Sequence, residues 1–158
     1  MICAVVAASA FCPGAMASPS AADRDARATY RDGVEPICKR NTLANRGILR
    51  GIRAKVRQGK LKPAGRQLIR AAGALRGALV KLRKVSRPEA DAERLSDWLA
   101  GVARQVTLLR QAGRALIQGK RRRAESIVTR LTNGARLINA LVVSFSFTHC
   151  RLELPQYT

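Results

Sequence analysis

Apolar residues recur in threes and fours over three long stretches of this chain. Leu61, Leu68, Ala72, Leu75, Leu79 and Leu82 fall on one stripe of a helix, while Arg66, Arg70, Arg76, Lys81 and Arg83 lie mostly elsewhere on it. The spacing returns in Leu95, Trp98, Val102, Val106, Leu109, Gly113 and Leu116, and again in Ala124, Val128, Leu131, Ala135, Ile138, Val142 and Phe145. A fourth stripe, first in order, runs through Ile37, Ala44, Ile48, Ile52 and Val56, widened by Leu43 and Leu49. Gln58-Gly59-Lys60 with Pro63, and Gln118-Gly119-Lys120, interrupt the pattern where turns belong. Ser86-Arg87-Pro88-Glu89 has the form of a capping box and predicts the start of the third helix. Connections this short force antiparallel neighbours, so the pattern predicts an all-α fold, an antiparallel up-down-up-down four-helix bundle. The low aromatic content of 4% and the scarcity of β-branched runs agree with it.

The pattern also contains an echo at a period of 60 residues. Leu49-Arg50 matches Leu109-Arg110, Gln58-Gly59-Lys60 matches Gln118-Gly119-Lys120, and Ala64, Leu68 and Arg70 match Ala124, Val128 and Arg130. Two related helical hairpins would give such an echo, and so would any two arginine-rich amphipathic hairpins.

Outside the helices, residues 1–17 read as an export signal: a short apolar run from Met1 to Phe11, then Ala15-Met16-Ala17 before Ser18 in the small-x-small form that signal peptidase cuts. Residues 18–34 are expected to be flexible or partly helical, residues 35–152 to form the bundle, and residues 153–158 to be a tail. Cleavage after Ala17 removes Cys3 and Cys12 and leaves Cys38 and Cys150, an even pair in an oxidising compartment. In an up-down-up-down bundle the start of helix one and the end of helix four share a pole, which makes a Cys38–Cys150 disulfide feasible. The competing reading, a redox or metal site using His149, lacks a Cys-x-x-Cys pair and a second histidine. The expected location is therefore periplasmic or extracellular. No run beyond the leader approaches the roughly 18 apolar residues of a membrane span.

Charge changes the picture most. Thirty Lys and Arg stand against ten Asp and Glu, a formal net charge of +20. Between Pro36 and Pro88 there is no acidic residue at all. In the predicted bundle the two Gly-Lys turns meet at the pole opposite the cysteines; residues 53–70 and 104–125 carry fourteen basic side chains there, against Glu125 alone. The acids gather instead in the first turns of helices one and three, where the helix dipole favours them. Arg outnumbers Lys 23 to 7, as a GC-rich coding sequence would produce, yet such drift explains extra arginine and not missing acids. The candidate anion-binding residues are Arg57, Lys60, Lys62, Arg66, Lys120, Arg121, Arg122 and Arg123, and the expected partner is an anionic polymer or envelope surface. Nucleic acid fits as a non-specific partner only, because the chain has almost no aromatics to stack bases.

An enzyme reading finds little support. There is one His, no Gly-rich phosphate loop, no His-Glu-x-x-His and no Gly-x-Ser-x-Gly. No cofactor or metal is expected. Glu89, Asp91, Glu93 and Asp97 are spaced for helix capping and dipole compensation rather than for acid–base chemistry. The frame formed by Ile37-Cys38-Lys39-Arg40-Asn41 and Thr148-His149-Cys150 resembles small exported helical proteins with one cysteine before the first helix and one after the last; that resemblance implies no function. In its charge the chain is also similar to basic periplasmic helical chaperones that cradle unfolded clients; a chaperone-like protein, or a purely structural secreted protein with a compositional Arg excess, is the alternative to a polyanion-binding module.

Overall fold

The computed structural model describes residues 20–152. The leader assigned to residues 1–17 and the tail assigned to 153–158 lie outside the described residues.

Five α-helices follow one another: α1 (Ala21–Leu49), α2 (Ile52–Arg57), α3 (Leu61–Leu82), α4 (Ala92–Ile117) and α5 (Arg121–Leu141). Helices α1 and α2 together make the first arm of an antiparallel four-helix bundle, and α3, α4 and α5 make the others; no strand occurs among the described residues. Helix α3 packs on α1, α2 and α4, and α5 packs on α4. None of these helices is long and apolar enough to cross a membrane.

The first arm departs from expectation in three ways. It begins at Ala21, well before residue 35, capped by a Ser20–Asp23 box in which each side chain bonds the other residue's backbone N–H. Tyr30 and Val34, on the segment expected to be flexible or partly helical, are buried in the main core. The helix runs through Pro36 and so places Cys38 near its middle rather than at its start. It then stops at Leu49, where a continuous helix to Val56 was expected. Gly51 takes a left-handed conformation (φ 70°) that a residue with a Cβ rarely adopts, and the buried Gln67 amide donates to the carbonyls of Ile48 and Arg50 that the break frees.

The Ser86–Glu89 capping box does not form. Pro88 leads into a single 3-10 turn, Glu89–Asp91, and α4 starts only at Ala92. The competing interaction is Asp91 itself, drawn into the interior by Arg27, whose Nε and Nη2 donate to its carboxylate at 2.6 and 3.1 Å.

Close helix approach is set by glycines. A Cβ on Gly65 of α3 would collide with the Gly113 carbonyl of α4, and one on Gly113 would lie 2.7 Å from the Gly65 carbonyl. Gly101 meets Ile138 in the same way across the α4–α5 pair.

The disulfide Cys38–Cys150 is present, with Cα atoms 4.9 Å apart across a sequence separation of 112. Cys150 reaches α1 because the chain turns back after α5. Phe145 lies against Tyr30 (centroids 5.9 Å) and Phe147 against Trp98 (5.6 Å). The Glu35 carboxylate accepts from the backbone N–H groups of Thr148 and His149, and Asn139 exchanges two hydrogen bonds with the Leu152 backbone. Trp98 is thus core, 1% exposed, and the aromatics among the described residues do not form a stacking surface.

Candidate polyanion-binding site

The two Gln-Gly-Lys segments fold alike. Gly59 and Gly119 take φ of 72° and 73°, and Lys60 and Lys120 follow at −76° and −83°. In each turn the lysine N–H reaches back to a carbonyl five residues earlier, Lys60 to Lys55 and Lys120 to Ala115, both at 2.8 Å. This is a left-handed glycine C-cap followed immediately by a new helix, and it explains why the same tripeptide stands at both places. The sequence echo is therefore matched in turn geometry.

The Gly65–Gly113 crossing fixes where these turns lie. Four residues separate Gly65 from the start of α3 at Leu61, and four separate Gly113 from the end of α4 at Ile117, about 6 Å of helix each. Both turns accordingly stand one helical turn beyond the same crossing, at one end of the molecule.

All eight predicted residues, Arg57, Lys60, Lys62, Arg66, Lys120, Arg121, Arg122 and Arg123, are exposed there. Among the described residues only Arg121 of the eight has an ion-pair partner, Glu125 at 2.9 Å. Neither α3 nor α5 has a side-chain cap or an acidic residue in its first turn, and the N-cap positions are themselves Lys60 and Lys120. At each turn the C-terminus of one helix meets the N-terminus of the next, so the dipole ends oppose each other and the side chains set the charge of the pole. Helix propensity alone would place Ser or Asp there, so stability has been given up at both positions.

Three of the acids at the other end, Asp23, Glu35 and Asp91, hold the fold. Asp23 completes the Ser20 cap, and hydrogen bonds from Ser20 hold its carboxyl below the ordinary range. Glu35 fixes the returning C-terminal segment, and Asp91 pairs with Arg27 and lies 3.6 Å from Arg94. The molecule is polar in charge because all its described carboxylates but Glu125 lie in residues 23–35 and 89–97, away from the Gly-Lys turns.

Sequence reasoning missed a second feature. Helices α1 and α5, the two outer arms, do not pack extensively on each other. Between them runs a cleft of ≈ 1270 Å³, walled by residues of all five helices and by the Thr148–Leu152 backbone. Periodicity cannot signal a missing contact; only the long α1 and the reversal after α5 reveal it.

Comparison with protein-family models, with curated proteins and with solved structures finds no match.

Proposed function

We propose that this protein is a non-enzymatic binding module for an anionic polymer or an anionic envelope surface, acting through the pole formed by the two Gln-Gly-Lys turns. The observation that carries this reading is the gathering of eight exposed cations around one helix crossing with Glu125 as their only ion-pair partner among the described residues. A chain that folds by ordinary helix rules would disperse or pair these charges, since clustering them costs stability through self-repulsion. The Cys38–Cys150 disulfide supports an oxidising, exported location.

Binding by charge neutralisation releases counterions and so depends steeply on salt. Affinity for heparin or duplex DNA should fall by about a thousandfold between roughly 50 and 200 mM salt if most of the eight cations engage phosphates or sulfates. Titration by fluorescence anisotropy at four salt concentrations checks this. A slope near zero removes the proposal. The chaperone-like alternative predicts a different ligand, a reduced unfolded polypeptide captured with little regard to its charge or to salt.

A further inference from the structure

The cleft between α1 and α5 is a second site, chemically unlike the cationic pole. Its inner wall is apolar, built from Leu75, Trp98, Val102, Leu109 and Leu131. Among the described residues no Asp or Glu lines it; Arg46 and Arg151 line it elsewhere, and Arg53 and Arg57 stand at its α2 end. At i and i+4 on α2 these two arginines share one face, with Cβ atoms about 6 Å apart. The cleft exceeds the roughly 300–1,000 Å³ of ordinary small-molecule pockets and sets its apolar residues beside polar ones that include Asn41, Asn45, Gln105 and Asn139. Trp98 and Val102 at its floor are nearly closed to water, while Leu49, Ala54 and Leu109 along the walls are half-buried. Asn45 and Trp98, both on the lining, each keep a buried polar atom without a hydrogen-bond partner.

We propose that the cleft binds a single-chain amphiphile with a phosphate monoester headgroup, the alkyl chain lying between α1 and α5 and the phosphate held by Arg53 and Arg57. Charge complementarity selects the headgroup. A phosphate monoester carries close to two negative charges and three acceptor oxygens, enough for two guanidinium forks, where a carboxylate satisfies one. The alkyl chain enters along the seam, which the C-terminal segment closes at one end and where α1 and α5 do not pack extensively on each other. The headgroup site shares Arg57 with the cationic pole, while the alkyl-chain wall belongs to the cleft alone.

Dodecyl phosphate, used below its micelle threshold with the intact disulfide-bonded protein, tests the proposal. Trp98 is the single tryptophan of the chain and lies on the cleft wall, so its fluorescence reports occupancy, and native mass spectrometry gives the stoichiometry. The expected result is saturable one-to-one binding, with dodecyltrimethylammonium at least about tenfold weaker and inorganic phosphate alone giving no Trp98 response. The double variant Arg53→Gln, Arg57→Gln should weaken binding about tenfold. Ala54→Phe, a substitution at a half-buried wall position, should block it while heparin binding persists. Replacing residues 120–123 with Gln should leave it unchanged, which separates failure of this site from failure of the pole. Equal affinity for the cationic and anionic amphiphiles, or many molecules bound per chain regardless of the Arg53, Arg57 and Ala54 substitutions, overturns the proposal; the headgroup comparison is made on the unmodified protein and does not depend on any variant folding.

Discussion

Arg27 and Asp91 lie 64 residues apart and are joined by two hydrogen bonds, with the Asp91 side chain 1% exposed. That carboxylate, through the hydrogen bond first and charge attraction after it, holds the Arg27 guanidinium above its ordinary range. Removing Arg27 leaves a buried carboxylate with Arg94 at 3.6 Å as its remaining cation. Arg27→Met should therefore cost about 3 kcal/mol in urea unfolding, the lower end for breaking a buried pair, because Arg27 itself is one-fifth exposed. Tyr30 behaves oppositely. Its hydroxyl is buried without a partner, and burial pushes the phenol up to about 12. The neutral phenol is thus favoured in the folded state; its share of stability is intact below pH 10 and lost as pH rises from 10 through 12, where the unfolded tyrosine ionises first. Tyr30→Phe should gain about 1 kcal/mol at neutral pH and lose less stability than the parent between pH 10 and 12. A variant that is less stable at neutral pH would show that the hydroxyl has a partner.

At the scale of elements, glycine divides helix α3 into two kinds of position. Gly73 and Gly77 face open space, and replacing either with Ala should stabilise the protein by about 0.5–1 kcal/mol through helix propensity. Gly65 in the same helix meets the Gly113 carbonyl, so Gly65→Ala should destabilise by about 2 kcal/mol despite that propensity gain. Thermal unfolding of the three variants checks the opposite signs. The helices were legible because their buried stripes obey a period of 3.6: Leu68, Leu75, Leu79, Leu95, Val102, Leu131 and Ile138 are all core. The turns were legible because Gln-Gly-Lys carries its own geometry, and the eight candidate residues because exposed charge follows the helical period. What the pattern hid was long-range. The Ser86 hydroxyl and Glu89 carboxylate compete locally for a cap, but Asp91 has a partner on α1 that no local rule sees. Polar character at Arg24, Asp25 and Arg31 masked Tyr30 and Val34 as core positions, and Gly51 in an apolar stretch gave no period by which to place the break.

For the molecule as a whole, the disulfide ties the returning C-terminal segment to the middle of α1, assisted by Glu35 and the Tyr30–Phe145–Phe147–Trp98 cluster. Closing a loop of this length stabilises by up to about 4–5 kcal/mol in the chain-entropy account. Reduction should lower the melting temperature by roughly 10 °C while far-UV circular dichroism keeps its helical form, since the α3–α4 and α4–α5 interfaces do not involve the bridge. Charge is the other property of the whole. If the cationic pole is the binding surface, position must matter beyond net charge, and equal charge removal at the two ends separates these. Replacing Lys120, Arg121, Arg122 and Arg123 with Gln, against replacing Lys81, Arg83, Lys84 and Arg87 around the exposed end of α3, removes four exposed cations in each case. The decisive measurement is the slope of log affinity for heparin against log salt in these two variants. The first set is expected to cut affinity and shallow the slope by about three to four units, as each lost contact contributes roughly 0.9, while the second set changes it by less than one. Equal losses from both sets would contradict this expectation and leave net charge as the whole cause of the attraction.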